Sequence, residues 1–172
     1  QFQGLVKMIA QVALRVGSDV EAVKAAKVGD VTVEAAINDA IATIGENMSV
    51  RRTAVLSVKD GVIGSYVHNQ AAPGMGKIGV LVELNSETDF VARTEDFGQL
   101  ARDIALHIAS ADPIGVNPED IPAEMLERER RIAEEQVAAE GKPEAIRAKI
   151  VEGKLKKFVA ERTLLEQPFV KD

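Results

Sequence analysis

A chain of 172 residues holds one ordinary domain, or two small subdomains sharing a core. With 46% hydrophobic and 28% charged residues it is globular rather than disordered, and a net charge of −6 argues against nucleic-acid binding and against an anionic membrane surface. The lack of cysteine excludes a disulfide framework and thiolate metal sites, which suits the cytoplasm, and no apolar run approaches the roughly 20 residues of a membrane span.

The chain opens on Gln1 in mid-helix pattern, without an initiator Met, and reads as a fragment. Phe2, Leu5, Val6, Ile9, Ala10 and Ala13 have the spacing of a helix with one buried face. Gly17-Ser18-Asp19 closes that helix and caps a short one over 21–26. A third helix follows over 33–44, with Ala36, Ile37, Ala40, Ile41 and Ile44 on one stripe and Gly45 at its end.

From Met48 the period changes to two. Met48, Val50, Ala54, Leu56 and Val58 share one face of a first strand, with Arg52 the exception. Asp60-Gly61 reads as a tight hairpin turn, residues 62–68 as the second strand, and 69–76 as a longer loop. Residues 77–84 form the third strand, with Ile78, Val80, Val82 and Leu84 on one face. The expectation is an α+β fold: a three-stranded antiparallel meander with helices covering one face.

Thr94 caps the next helix, whose first turn carries Glu95 and Asp96 at the positive end of the dipole. Phe97, Leu100, Ala101, Ile104, Ala105 and Ile108 give it the most continuous apolar stripe in the chain, and Asp112-Pro113 stops it. Residues 117–122 form a capping and turn region. Residues 125–140 are highly charged, with a thin stripe of Met125, Ile132, Ala133 and Val137. Gly141-Lys142-Pro143 turns the chain into 144–153, which carries Ile146, Ile150 and Val151. Two narrow-faced helices joined by a tight turn predict a protruding antiparallel helical arm. Leu155, Phe158, Val159 and Leu165 then return the chain to the core. The organisation is a helical segment at 1–46 (a partial first half-repeat), a sheet with its core helix at 47–112, and the arm with its return at 113–172. Phe2, Leu5, Ile9 and Ala10 recur 95 residues later as Phe97, Leu100, Ile104 and Ala105, a pattern that chance or an internal duplication can produce.

The chemistry-bearing residues are few. Thr88, Asp89, Phe90 and Val91 stand where the third strand becomes the core helix, followed by Ala92 and Arg93. There Phe90 either fills the local core, with Asp89 capping the turn, or is offered to a partner. His68, near the 69–76 segment, is a contact residue or surface decoration, and His107 is structural. Two isolated histidines make no metal site. Gly74-Met75-Gly76-Lys77 lacks the spacing of a phosphate-binding loop and leads into a strand. No nucleophile–base pairing or paired acids stand out, so neither a catalytic residue nor a cofactor is expected. Arg51 and Arg52 call for ion pairs or partner contact.

A set of runs, in order, resembles the elongation factor Ts family. They are Ile44-Gly45-Glu46-Asn47 with Val50-Arg51-Arg52, Gly64-Ser65-Tyr66-Val67-His68, Gly79-Val80-Leu81-Val82 and Thr88-Asp89-Phe90-Val91-Ala92-Arg93. Gly141-Lys142-Pro143, the run from Val151 to Phe158, and Leu164-Leu165-Glu166-Gln167-Pro168-Phe169-Val170 complete them. The resemblance implies a guanine nucleotide exchange factor of translation without covalent chemistry, binding elongation factor Tu in its GDP-bound and nucleotide-free forms. It implies that Thr88, Asp89, Phe90 and Val91 enter the partner's GTPase domain and disturb its magnesium and phosphate surroundings, so that GDP leaves. Ala92, Arg93 and His68 are further contact candidates.

The order of the runs departs from the family layout. Two-subdomain members place the Thr-Asp-Phe motif in the first half, directly before a helix like 2–14; here that helix opens the chain. Short members place a segment like 31–52 after the Gln-Pro-Phe-Val run. An amino-terminal module resembling a ubiquitin-associated domain and a closing strand beyond Asp172 are missing from the pattern. The expectation is a truncated or rearranged core, whose unpaired sheet edge a second copy could cover as a homodimer. Two rival functions remain: an interaction module that binds the same partner without exchange, and a small-molecule enzyme with a pocket beside His68.

Overall fold

The computed structural model describes residues 1–171. The chain opens with three helices: α1 (Phe2–Val16), α2 (Val20–Ala25) and α3 (Val33–Ile44). A minimal antiparallel pair, β1 (Lys27–Val28) with β2 (Val31–Thr32), separates the last two. Asp19 and Gly45 act where the sequence puts them, and Thr32 supplies a further cap. Asp19 accepts from the Ala22 N–H at 2.7 Å, Thr32 accepts from Ala35 at 3.2 Å, and Gly45 closes α3 at φ 80°. Val12, Ala13, Val23, Val33 and Ile37 are buried together, a core assembled without an aromatic ring.

The predicted first strand forms no ladder. Residues 45–58 belong to no strand, and the sheet here is a two-stranded antiparallel hairpin instead of a three-stranded meander. The helices take up this segment. The Val55 N–H donates to Ser18 Oγ at 2.8 Å and Thr53 Oγ1 donates to the Ser18 carbonyl at 2.7 Å. Met48, Val50 and Val55 pack against the helical core, so the alternation slips by one residue at Arg51-Arg52 and leaves Ala54 and Leu56 exposed. Periodicity of two reports which side chains turn inward; it does not report a hydrogen-bonding neighbour.

The hairpin turn also moves. Strand β3 (Gly61–Ala72) pairs with β4 (Met75–Asn85), and Pro73-Gly74 makes the turn with Gly74 at φ 73°. Most of the expected 69–76 loop is therefore strand, with one irregularity between Gln70 and Ala72 near Asn69, whose φ is 48°. Asp60-Gly61 sits at the opposite, open end. There the Asp60 carbonyl accepts from the Ser86 N–H at 2.8 Å.

One face of the hairpin carries α5 (Glu95–Ala111), reached through the single turn α4 (Asp89–Ala92). The contact is close because of Gly64. A methyl group there would lie 2.5 Å from the Ala101 carbonyl oxygen, and Ala101 and Ala105 are fully buried. Leu100, expected on this stripe, is 45% exposed. In the apparent repeat, Ala101 and Ala105 correspond to Val6 and Ala10 of α1, yet both of these are exposed.

A short 3-10 turn (Pro118–Asp120) leads to α6 (Ala123–Ala139) and α7 (Glu144–Arg162), which pack as an antiparallel pair around Ala133, Val137, Val151 and Leu155. Gly141, at φ 67°, makes the turn between them. The arm's second helix and the expected return segment are one continuous helix, through Gly153. Leu165 does not rejoin a core and is 70% exposed.

Candidate partner-binding site

The junction between β4 and α5 is a small, doubly capped corner. Thr88 is extended, at φ −138° and ψ 149°, and its hydroxyl faces the Val91 N–H at 3.5 Å, a long capping contact for α4. Thr94 then caps α5 through Phe97 N at 3.3 Å, while its hydroxyl donates to the Val91 carbonyl at 2.8 Å. Ser86 Oγ donates to the Thr88 carbonyl at 2.6 Å. A strand, a single turn and a long helix are thus pinned to one another over nine residues, Ser86 through Thr94.

This pinning decides where Phe90 points. It is 77% exposed, the most exposed of the large hydrophobic side chains among the described residues, and its neighbour Val91 is 43% exposed. The core-filling alternative is not what the structure shows. Asp89 does not cap the turn either. Thr88 does, and Asp89 pairs with Arg93 at 2.9 Å, one turn on. Both charges are solvent-facing, so the pair contributes at most about 1 kcal/mol. It joins the first residue of α4 to the residue that ends it. Ala92 is half-buried beneath the turn.

His68 lies elsewhere. It sits inside β3, not at a strand end, opposite Ile78, exposed, with Nδ1 3.0 Å from the Tyr66 hydroxyl. The open end of the hairpin, where Gly61 faces Asn85, leads to Thr88. Seven residues of strand separate Gly61 from His68, about 23 Å at the usual rise. Thr88, Asp89, Phe90, Val91, Ala92 and Arg93 form one cluster, and His68 is not part of it. Sequence reasoning missed Ser86, whose hydroxyl and N–H both close the corner; its place ahead of a second hydroxyl residue, Thr88, was the available signal.

The remaining candidates are quickly placed. Arg51 and Arg52 make no ion pair among the described residues. They border an apolar groove of about 600 Å³ between α1 and residues 48–55, walled by Phe2, Leu5, Ile9, Val50 and Leu81. His68 does not line it, and no group of three metal-ligating side chains occurs among the described residues. His107, expected to be structural, is 3% exposed and hydrogen-bonded to the closing segment.

The family model described as Elongation factor TS matches residues 1–172. The chain belongs to the elongation factor Ts family. Among curated relatives, proteins named Elongation factor Ts from Nitrobacter hamburgensis and Bradyrhizobium diazoefficiens are 52% and 51% identical over the whole of this chain. One from Rhodopseudomonas palustris is 51% identical over the same span. The chain covers 55% of the length of each, so it spans about half of the elongation factor Ts proteins it matches.

Proposed function

We propose that this chain binds elongation factor Tu and accelerates GDP release, with the Thr88–Arg93 corner as the part that enters the partner. The observation that carries this reading is Phe90: an aromatic ring 77% exposed on a backbone held from both sides. Left in water, that ring forgoes roughly 2–3 kcal/mol of burial, so a soluble protein that displays it rigidly gains by covering it. GDP is held to a GTPase largely through phosphates bridged by magnesium. A phenyl group inserted beside that site displaces its surroundings sterically, and Asp89 and Arg93 supply polar contacts that hold it in register. No bond is made or broken. The factor acts by favouring the nucleotide-free partner over the GDP-bound one, and equal affinity for both would shift nothing. Cytoplasmic action follows from this reading.

The direct test is release of a fluorescent GDP analogue from purified elongation factor Tu, with binding measured on the same samples. Accelerated release that is lost in Phe90→Ala supports the reading. Binding without acceleration identifies an interaction module instead.

A second copy of the chain is a further partner. The outer face of the hairpin exposes Ile63 and Leu81, and Leu81 also borders the α1 groove, where Phe2 is 54% exposed. These form a contiguous apolar surface suited to a homodimer. A concentration-independent monomer mass by light scattering at micromolar protein rejects it.

A further inference from the structure

His107 and Gln167 make a polar junction that nucleotide exchange leaves unused. His107 is 3% exposed, and both its ring nitrogens have partners: Nδ1 lies 3.2 Å from the Val170 nitrogen and Nε2 3.0 Å from Gln167 Oε1. A backbone N–H can only donate, so Nδ1 is an unprotonated acceptor and the ring hydrogen sits on Nε2, donating to Gln167. The amide nitrogen of Gln167 is then free to donate twice, to the Ala111 carbonyl at 3.3 Å and the Glu161 carbonyl at 2.7 Å. One imidazole and one amide therefore tie together the last turn of α5, the last turn of α7 and the closing residues 167–170. Phe169 covers the imidazole, with ring centroids 5.7 Å apart.

Among the described residues, the other ties between α5 and the arm run through the linking segments, where Ile121 and Thr163 are buried, and through the Lys171–Asp103 pair. The arm's buried cluster contains arm residues alone. Three backbone bonds join Ile114, Gly115 and Val116 to the residues ending α7, but they lie past the end of α5 and reach it through Asp112 and Pro113. Arg162 adds a 3.3 Å bond to the Asp112 carbonyl, at the same exposed bend.

We propose that His107 is a latch: in its neutral Nε2–H form it fixes the helical arm against α5, and a second proton opens it. Protonating Nδ1 sets an N–H against the Val170 N–H, so the new proton has no acceptor and the charge is buried, while the Nε2–H bond to Gln167 remains. The charged groups around the junction do not compensate. Asp103, one turn back on α5, is held by Lys171 of the closing segment at 2.7 Å and by Gln99. On α7, Glu161 pairs with Lys157 and Arg162 with Asp112. While the latch is closed, the arm and the Phe90 corner project from one body, because α5 begins directly after the corner. When it opens, the arm swings about residues 112–113.

The absence of cysteine makes the test clean. Spin labels at Asp96→Cys on α5 and Lys142→Cys at the arm tip report the distance distribution by pulsed electron resonance in the full chain. The expected distribution is narrow at neutral pH and broadens on acidification. His107→Phe keeps a ring against Phe169 while removing both bonds and the titration. It should be broad at every pH, with the protection of the Val170 amide reduced by about tenfold or more. If that variant does not fold, Gln167→Met removes the amide bonds at a half-exposed position and should broaden the distribution likewise. Nitrogen chemical shifts should show the Nε2–H tautomer. An Nδ1–H tautomer, a pH-independent width in the unsubstituted chain, or an unchanged width in the variants overturns the latch. All of these readouts stand without elongation factor Tu.

Discussion

Truncating Phe90 to alanine separates a structural role from a binding role, because the two predict opposite outcomes. The ring is 77% exposed and its turn is capped by Thr88 rather than by packing, so the folded state loses almost no buried contact. Stability should change by no more than about 0.5 kcal/mol, the usual range for a surface substitution. If the ring is instead buried in the nucleotide-free complex, its removal forfeits roughly 2–3 kcal/mol there. Expressed in the transition state for GDP loss, that corresponds to roughly a 30- to 150-fold slower maximal release rate. The assay is fluorescent GDP release from elongation factor Tu at saturating factor, with thermal unfolding run on the same variant. Unchanged release in a folded Phe90→Ala protein refutes the wedge. A large loss of thermal stability refutes the structural premise, since it would mean that the ring packs where the structure shows it bare.

Three further outcomes follow from the corner and its supports. Gly64→Ala pushes a methyl group against the Ala101 backbone, so it should destabilise the hairpin–α5 contact by about 1–3 kcal/mol, read by denaturant titration. Thr94→Ala removes the α5 cap and its bond to the Val91 carbonyl; about 1 kcal/mol of stability should go, with GDP release slowed as the corner loosens. Asp103 is pulled below the usual carboxylate range, chiefly by the Lys171 ammonium bonded to it, with burial opposing and the Gln99 amide assisting. A carboxyl with a lowered folded-state pKa stabilises fully above its unfolded value, and the contribution disappears as pH falls through the lowered one. Protection of residues 167–171 should therefore drop in acid, and Asp103→Asn should abolish that part of the pH dependence in hydrogen exchange; an unaltered profile counts against the pairing.

The helices were legible because their signals are local. Asp19 and Thr94 cap where their sequence position says they should, and the two Gly ends of α3 and the arm turn adopt the left-handed backbone their residue type favours. The first strand was misread for a reason that is not local. Met48, Val50 and Val55 do turn toward the core, but the Val55 N–H and the Thr53 hydroxyl find their partners on Ser18, 37 and 35 residues away in sequence. Alternation fixes a side chain's direction and is silent about its hydrogen-bonding neighbour. Asp60-Gly61 misled in the same way: a good turn dipeptide makes a hairpin only if the strand before it folds back, and that strand was held by the helices. The site was half legible. Thr88 to Arg93 are consecutive and stay together, whereas His68 rested on an assumed loop, and the longer strands place it inside β3, away from the corner.

If the proposed exchange activity holds, it is bound by reciprocity, and that constrains what the corner can be. If the Phe90 corner weakens GDP binding by some factor, GDP weakens binding of the corner by the same factor. A very tight grip would be self-defeating, since the partner must take up nucleotide again and expel the factor. The corner fits this requirement. It offers one large apolar group, flanked by an exposed ion pair worth at most about 1 kcal/mol, on a backbone already ordered before contact. On the proposed reading, its ordering cost is met in folding, and a single ring would bias the partner without making the complex irreversible. Measured on one set of samples, the ratio of this chain's affinities for nucleotide-free and GDP-bound elongation factor Tu should equal the ratio of GDP affinities without and with the chain. In Phe90→Ala both ratios should fall together. If the common ratio in Phe90→Ala stays at its unsubstituted value, the ring carries none of the coupling between nucleotide and corner, and the wedge would have to be abandoned.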